Sequence, residues 1–261
     1  MSDFFRENNV GDYFNANNVS MKYNVDIVFV VDATGSMGNL METVKRMIPQ
    51  FYNSTVTALS EKNKTVDTLR VRVIFFRDFL ECMRDRSAPL MATDFYVLSD
   101  KYSNQGEILV EQIESIQPFG GGDIPEDGLE ALACAMKSDW CKKDPNHKRR
   151  HIIAVFTDAP THELGFGKAS SDYPEGMPRN FEELTQMWGN KLNREGSMDY
   201  SAKRLILFIP KVEYLPASDG WKNIVEGAMP WENCDVIQIN PKDEFKDVKF
   251  NRILDRIVNS I

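Results

Sequence analysis

Apolar positions along this chain follow two different periods. Residues 25–31 are a β-branched run broken only by Asp26, the pattern of a buried central strand, and apolar runs recur at 69–76, 151–156, 205–209 and 236–239. A short strand is predicted over 94–98. Between 39 and 59, Leu40, Val44, Met47, Ile48, Phe51 and Val56 recur at helical spacing, with a kink or break expected at Pro49. Further helices are predicted over 108–116, 125–136 and 181–188, the second opened by Pro125 in its first turn. Phe245, Val248, Phe250, Ile253, Leu254 and Ile257 predict a closing amphipathic helix over 243–258.

Strands alternating with helices predict an α/β fold: a Rossmann-like, mostly parallel central sheet flanked by helices on both faces. One domain is expected over 25–261, with an irregular insertion around 161–200. A polar, Asn-rich extension occupies 1–24. Ligands of such sheets bind where loops leave the carboxyl ends of the strands. The turns at Asp32 and Asp158 fall there directly. Gly120-Gly121-Gly122-Asp123 joins two helices, so its arrival at the same edge follows only from the fold.

Charge narrows the choice of partner. With 31 Lys and Arg against 39 Asp and Glu the net charge is −8, against duplex nucleic acid or an anionic membrane as a general partner. The start of the chain has no secretory pattern, and no apolar run approaches the roughly 20 residues of a membrane helix. Four cysteines without a CxxC pair read as free thiols in a reducing compartment, so a cytoplasmic location is expected. The basic cluster of Lys142, Lys143, Lys148, Arg149 and Arg150 reads as an exposed loop.

The chemistry begins at Asp32, Thr34 and Ser36. A carboxylate and two hydroxyls at alternating positions of a tight turn can aim three oxygens at one point, and Gly35 permits the turn. Hard oxygens suit Mg²⁺, Mn²⁺ or Ca²⁺ rather than zinc or copper. Asp158, and Asp123 if its loop reaches the same edge, would complete the set.

Asp32-Ala33-Thr34-Gly35-Ser36 after an apolar strand resembles the Asp-x-Ser/Thr-x-Ser signature of von Willebrand factor type A domains. That signature is the first loop of their metal-ion-dependent adhesion site. Gly120-Gly121-Gly122-Asp123 resembles the second loop, and Phe156-Thr157-Asp158 the third. Gly-Gly-Gly-Asp-x-Pro-Glu is most similar to intracellular members, such as those of bacteria and those attached to alpha-kinases. The resemblance implies that Ser36 and Thr34 bind the metal directly, while Asp32 and Asp158 act through water or hold the hydroxyls. It also implies a protein partner that supplies an Asp or Glu to the metal, most often Mg²⁺. Asp123 stands where integrin-like members have Thr. As a third carboxylate it should hold the metal more tightly and an external carboxylate less strongly, which equal Mg²⁺ affinity in Asp123→Thr would refute.

Several plainer readings compete. Thr34 and Ser36 could cap the next helix, leaving a metal-free scaffold. Glu126 and Asp127 read as a solvated acidic helix start. Arg77, Asp78 and residues 84–86 read as a solvated loop, His162 as a rim residue, and Met37 and Met41 as packing. An enzymatic alternative is a Mg²⁺-dependent phosphotransferase similar to haloacid dehalogenases, with Asp32 as nucleophile. Those enzymes have a second Asp where this chain has Thr34, and a phosphate-pairing Lys is missing before the acidic loop. Without other catalytic motifs, the sequence predicts a binding module rather than an enzyme.

Overall fold

The computed structural model describes residues 21–98, 103–121, 125–192, 196–240 and 250–261. Of the expected N-terminal extension, residues 1–20 lie outside this set, as does Asp123. Met21–Asn24 already belong to the first strand.

Among the described residues seven strands form one sheet: β1 (Met21–Asp32), β2 (Lys64–Phe76), β3 (Leu90–Ala92), β4 (Tyr96–Leu98), β5 (Lys148–Phe156), β6 (Lys203–Pro210) and β7 (Cys234–Ile239). Their order is β3-β2-β1-β5-β6-β7, with β4 also paired to β2. All neighbours from β2 to β7 run parallel; only β3 and β4 are antiparallel to β2. The mostly parallel α/β sheet expected from the alternation of elements is what the chain adopts.

Strand periodicity divides the core in two. Val25, Ile27, Phe29 and Val31 of β1 pack under α1 (Gly38–Ser60), α3 (Ser103–Glu114) and α7 (Phe250–Ser260). Val28 and Val30 face α4 (Gly128–Met136), α5 (Phe181–Trp188) and α6 (Gly220–Glu226). Because β1 is covered on both faces, it reads as a continuous apolar run rather than an alternating one. Phe29 meets Phe51 of α1 edge-on at 5.7 Å, so burial of two large rings fixes helix against sheet. Helix α1 continues through Pro49 without a break. Leu40, Val44 and Met47 before it and Phe51 and Leu59 after it stay buried in one core, which offsets the roughly 3 kcal/mol an interior proline costs. Met37 and Met41 are core residues.

Other elements depart from the sequence reading. Residues 77–86 are not a loop throughout, because Phe79–Asp85 form helix α2, capped by Asp78. The helix expected from Pro125 starts at Gly128 instead. Glu126 pairs as a β-bridge with Thr161, so the chain is extended there. Lys148, Arg149 and Arg150 lie in β5 and are not loop residues. The insertion at 161–200 contains a short 3-10 turn at Phe166–Ala169 and helix α5. For the closing helix, the part before Phe250 lies outside the described residues.

Candidate metal centre

Parallel order brings the ends of β1, β2, β5 and β6 to one edge, with Asp32 level with Phe76 and Val31 with Phe156. Three loops leave this edge side by side. The first holds the third through the Asp32 carboxylate, which is fully buried. One oxygen accepts from the Thr34 amide at 2.9 Å and the Thr34 hydroxyl at 2.6 Å. The other accepts from the Thr157 hydroxyl at 2.8 Å. Ser36 donates to Asp158 at 3.1 Å, and its oxygen lies 3.5 Å from that of Thr34.

The glycine segment reaches the same edge. Gly35 N–H donates to the Gly120 carbonyl at 3.1 Å, and Phe119 N–H to the Ala33 carbonyl at 3.0 Å. Gly120 and Gly121 have φ of 80° and 88°, a region that disfavours side chains. A Cβ on Gly121 would come within 3.1 Å of Thr34. The loop can therefore lie against the hydroxyls only with glycine there. Glu81 of α2 accepts from Gly121 N–H at 2.9 Å and ties the segment from the other side.

Among the expected ligands, Asp32, Thr34, Ser36 and Asp158 are thus brought together, and Asp123 lies outside the described residues. The four suit a hard divalent cation. Thr34 directs its proton to Asp32 and Ser36 directs its proton to Asp158. Each hydroxyl then keeps lone pairs for a cation, and Ser36 is exposed to solvent. Burial pushes the Asp32 carboxyl above its ordinary value against the opposing bonds from Thr34, and the charge of Asp158 adds to the rise. A carboxylate raised by burial and by a second carboxylate nearby gains from a positive charge beside it.

Sequence reasoning missed an acidic layer behind these loops. Glu126 and Asp127 are buried, against the expectation of a solvated helix start, as is Glu130, and each of the three leaves one carboxylate oxygen without a partner. Burial, then the charge of Asp32, raises the Glu126 pKa; burial also leads the rise at Asp127. Their other roles are structural. Asp127 accepts from Phe79 N–H at 2.7 Å, and Glu130 accepts from Gly165 N–H and the Tyr173 hydroxyl. His162 is more than a rim residue: its Nε2 lies 2.9 Å from Asp78, and its ring stacks on Phe166. Arg77 is buried and donates to the carbonyls of Ala33, Ala88 and Gln117. Only tertiary contact reveals these roles; the sequence signal, charges beside a strand end, is shared with ordinary loops.

A second group lies nearer the opposite edge. Asp26, Cys141 and His151 bring a carboxylate oxygen, a thiol and an imidazole nitrogen within 4.8 Å of one another, close enough to hold a metal ion. Arg70 forks onto both Asp26 oxygens at 2.7 and 2.6 Å, so a cation there must displace a guanidinium. All four cysteines are free. No helix among the described residues is long and apolar enough to cross a membrane.

No family model matches the chain. A stretch of 163 residues is 27% identical to Alpha-protein kinase vwkA of Dictyostelium discoideum, covering 60% of this chain but only 22% of the kinase. The chain therefore shows weak homology to about a fifth of that protein's length. Among solved structures, the pilus adhesin SpaC from Lactobacillus rhamnosus GG superposes with a TM-score of 0.50 at 11% identity. The match spans 90% of this chain and 30% of the adhesin, and it is a likeness of fold alone.

Proposed function

We propose that residues 21–261 form a von Willebrand factor type A-like domain whose Asp32–Thr34–Ser36–Asp158 loops bind a divalent cation, most readily Mg²⁺, and dock a protein partner across it. The observation that carries this reading is the chain of hydrogen bonds in which two carboxylates orient two hydroxyl oxygens toward one solvent-facing point. The weak homology to an alpha-kinase supports the family reading and the choice of an intracellular relative. Free thiols and a net charge of −8 fit a reducing, cytoplasmic setting.

Bound there, a divalent cation supplies an electrophilic centre that an Asp or Glu of a partner can share. The chain's own part is orientation: Asp32 and Thr157 fix the first loop to the third, and Gly120 and Gly121 let the second lie against Thr34. Binding rather than catalysis fits Asp32 best. It is fully buried with both oxygens already accepting hydrogen bonds, a poor arrangement for a nucleophile that must approach a phosphorus atom in line.

Calorimetric titration with Mg²⁺, Mn²⁺ and Ca²⁺ tests the first half of the proposal. Saturable binding lost in Asp32→Ala/Ser36→Ala is expected, whereas no binding by the wild type would leave a metal-free scaffold. Capture of a partner by the wild type in Mg²⁺, and its loss in EDTA, tests the second half. Metal-dependent phosphatase activity that disappears in Asp32→Asn would overturn the non-enzymatic reading.

A further inference from the structure

The edge of the sheet opposite the loops, where the strands begin, carries a row of cations. Side chains alternate between faces along a strand. Lys148 and Arg150 precede Ile152 and Ala154 on the face under α1 and α7, and Arg204 precedes Ile206 and Phe208 there. Lys64 joins them: its Nζ lies 5.7 Å from the centroid of the Tyr23 ring, and the Arg150 guanidinium 5.5 Å from the same ring. Lys62 donates to Asn259 at 2.6 Å, and Arg150 to the Ser260 carbonyl at 3.2 Å.

None of these five cations forms an ion pair with a carboxylate among the described residues. Such crowding is costly and unexpected in a chain with a net charge of −8. Burial and then the charges of Lys62, Arg150 and Lys148 hold Lys64 below its ordinary pKa. Burial and Arg150 do the same to Arg204. Beside this row, between α7 and strands β6 and β7, opens a cavity of about 260 Å³ lined by Arg204, Arg256, Asn233, Asn259 and Ser260. Among the described lining residues the one carboxylate, Asp235, faces Arg256 at 3.1 Å, whereas the Arg204 guanidinium donates to backbone carbonyls, of Lys203 at 2.6 Å and Ser201 at 3.4 Å. The cavity lies below the roughly 300–1,000 Å³ of usual small-molecule sites, so a compact ligand fits it.

We propose that this cavity is an oxyanion site for a phosphate or diphosphate group. Arg204 is its principal ligand, Asn233 and Asn259 donate amide hydrogens, and Arg150, Lys62 and Lys64 supply the surrounding positive field. Arginine suits the task because its planar fork matches two oxygens of one phosphate. The group can arrive free or on a phosphorylated side chain of another protein. The proposal is independent of the metal centre at the other edge.

Calorimetry in EDTA at fixed ionic strength tests it, with inorganic pyrophosphate, a serine phosphopeptide and the unphosphorylated peptide as separate titrants. Saturable binding of pyrophosphate, or of the phosphopeptide over its unphosphorylated twin, is expected; which of them binds identifies the source. Affinity should fall at least tenfold in Arg204→Gln and stay unchanged in Arg46→Gln, an exposed control on α1. If Arg204→Gln does not fold, Lys62→Gln, at an exposed rim position, should weaken binding two- to fivefold. Absence of saturable binding at millimolar concentration overturns the site. Equal affinity in wild type and the folded variants does so too.

Discussion

Single residues carry charge states that their surroundings dictate, and His151 is the clearest to test. Its ring is 2% exposed, stacked on Trp140 at 5.1 Å, with Nε2 3.2 Å from the Cys141 carbonyl. Burial lowers its pKa to about 4, against the opposing pull of Asp26. In the unfolded chain it titrates near 6.5, so below that pH the unfolded state binds more protons and gains stability relative to the fold. The contribution of His151 is therefore complete above about pH 6.5 and is lost as pH falls toward 4. A difference of some two and a half units amounts to about 3 kcal/mol. Urea midpoints at pH 7.5 and 4.5 should show this loss in the wild type. In His151→Asn the fall should be smaller by that amount, and an equal fall in both would place the acid sensitivity elsewhere. Asp32 shows the opposite case, a carboxylate raised by burial that serves by accepting from Thr34 and Thr157 rather than by facing solvent.

At the scale of elements, Arg77 binds three loops into one platform, because its guanidinium bridges carbonyls of the first metal loop, of the segment after α2, and of the approach to the glycines. Arg77→Met would remove all three charge-assisted bonds, leaving the Ala33 carbonyl only its bond from Phe119 N–H. It should lower unfolding free energy by about 3 kcal/mol and weaken Mg²⁺ binding several-fold. Unchanged Mg²⁺ affinity in a destabilised variant would show that the loops hold their places without it. How legible such elements were in the sequence depended on where their order comes from. Helix α5 has its sequence-predicted bounds, Phe181–Trp188, because its own periodicity and the Asn180 cap fix it locally. Central strands were recognisable because burial on both faces leaves an unbroken β-branched run, yet β5 begins three residues early, among Lys148, Arg149 and Arg150, where pairing with β1 overrides charge. Helix α2 was invisible because its seven residues include Glu81, Arg84 and Asp85, too short and too charged to show a period. The Asp32–Thr34–Ser36 turn was readable as a local triplet. The buried acids Glu126, Asp127 and Glu130 were not, since their burial comes from β2, α2 and the 161–176 segment folding over them.

Across the whole molecule the net charge of −8 conceals a polarity. Buried and half-buried carboxylates gather where the parallel strands end, and unpaired cations where they begin. Arg150 is level with Val25 of β1, seven residues before Asp32, a separation of roughly 23 Å at about 3.3 Å per residue. Two sites so far apart, joined by a rigid sheet and sharing no side chain, should act additively to within about 0.5 kcal/mol. Mg²⁺ at a hundred times its dissociation constant should raise the unfolding free energy by about 2.7 kcal/mol. Asp32→Asn should abolish that increment, while Arg204→Gln should leave it intact even where it alters the stability of the metal-free protein. Urea titrations of the three proteins with and without Mg²⁺ read both quantities. A change of more than about 1 kcal/mol in the Arg204→Gln increment would mean that α7 or the sheet transmits a signal between the ends. The anion would then regulate the metal site rather than occupy a separate one.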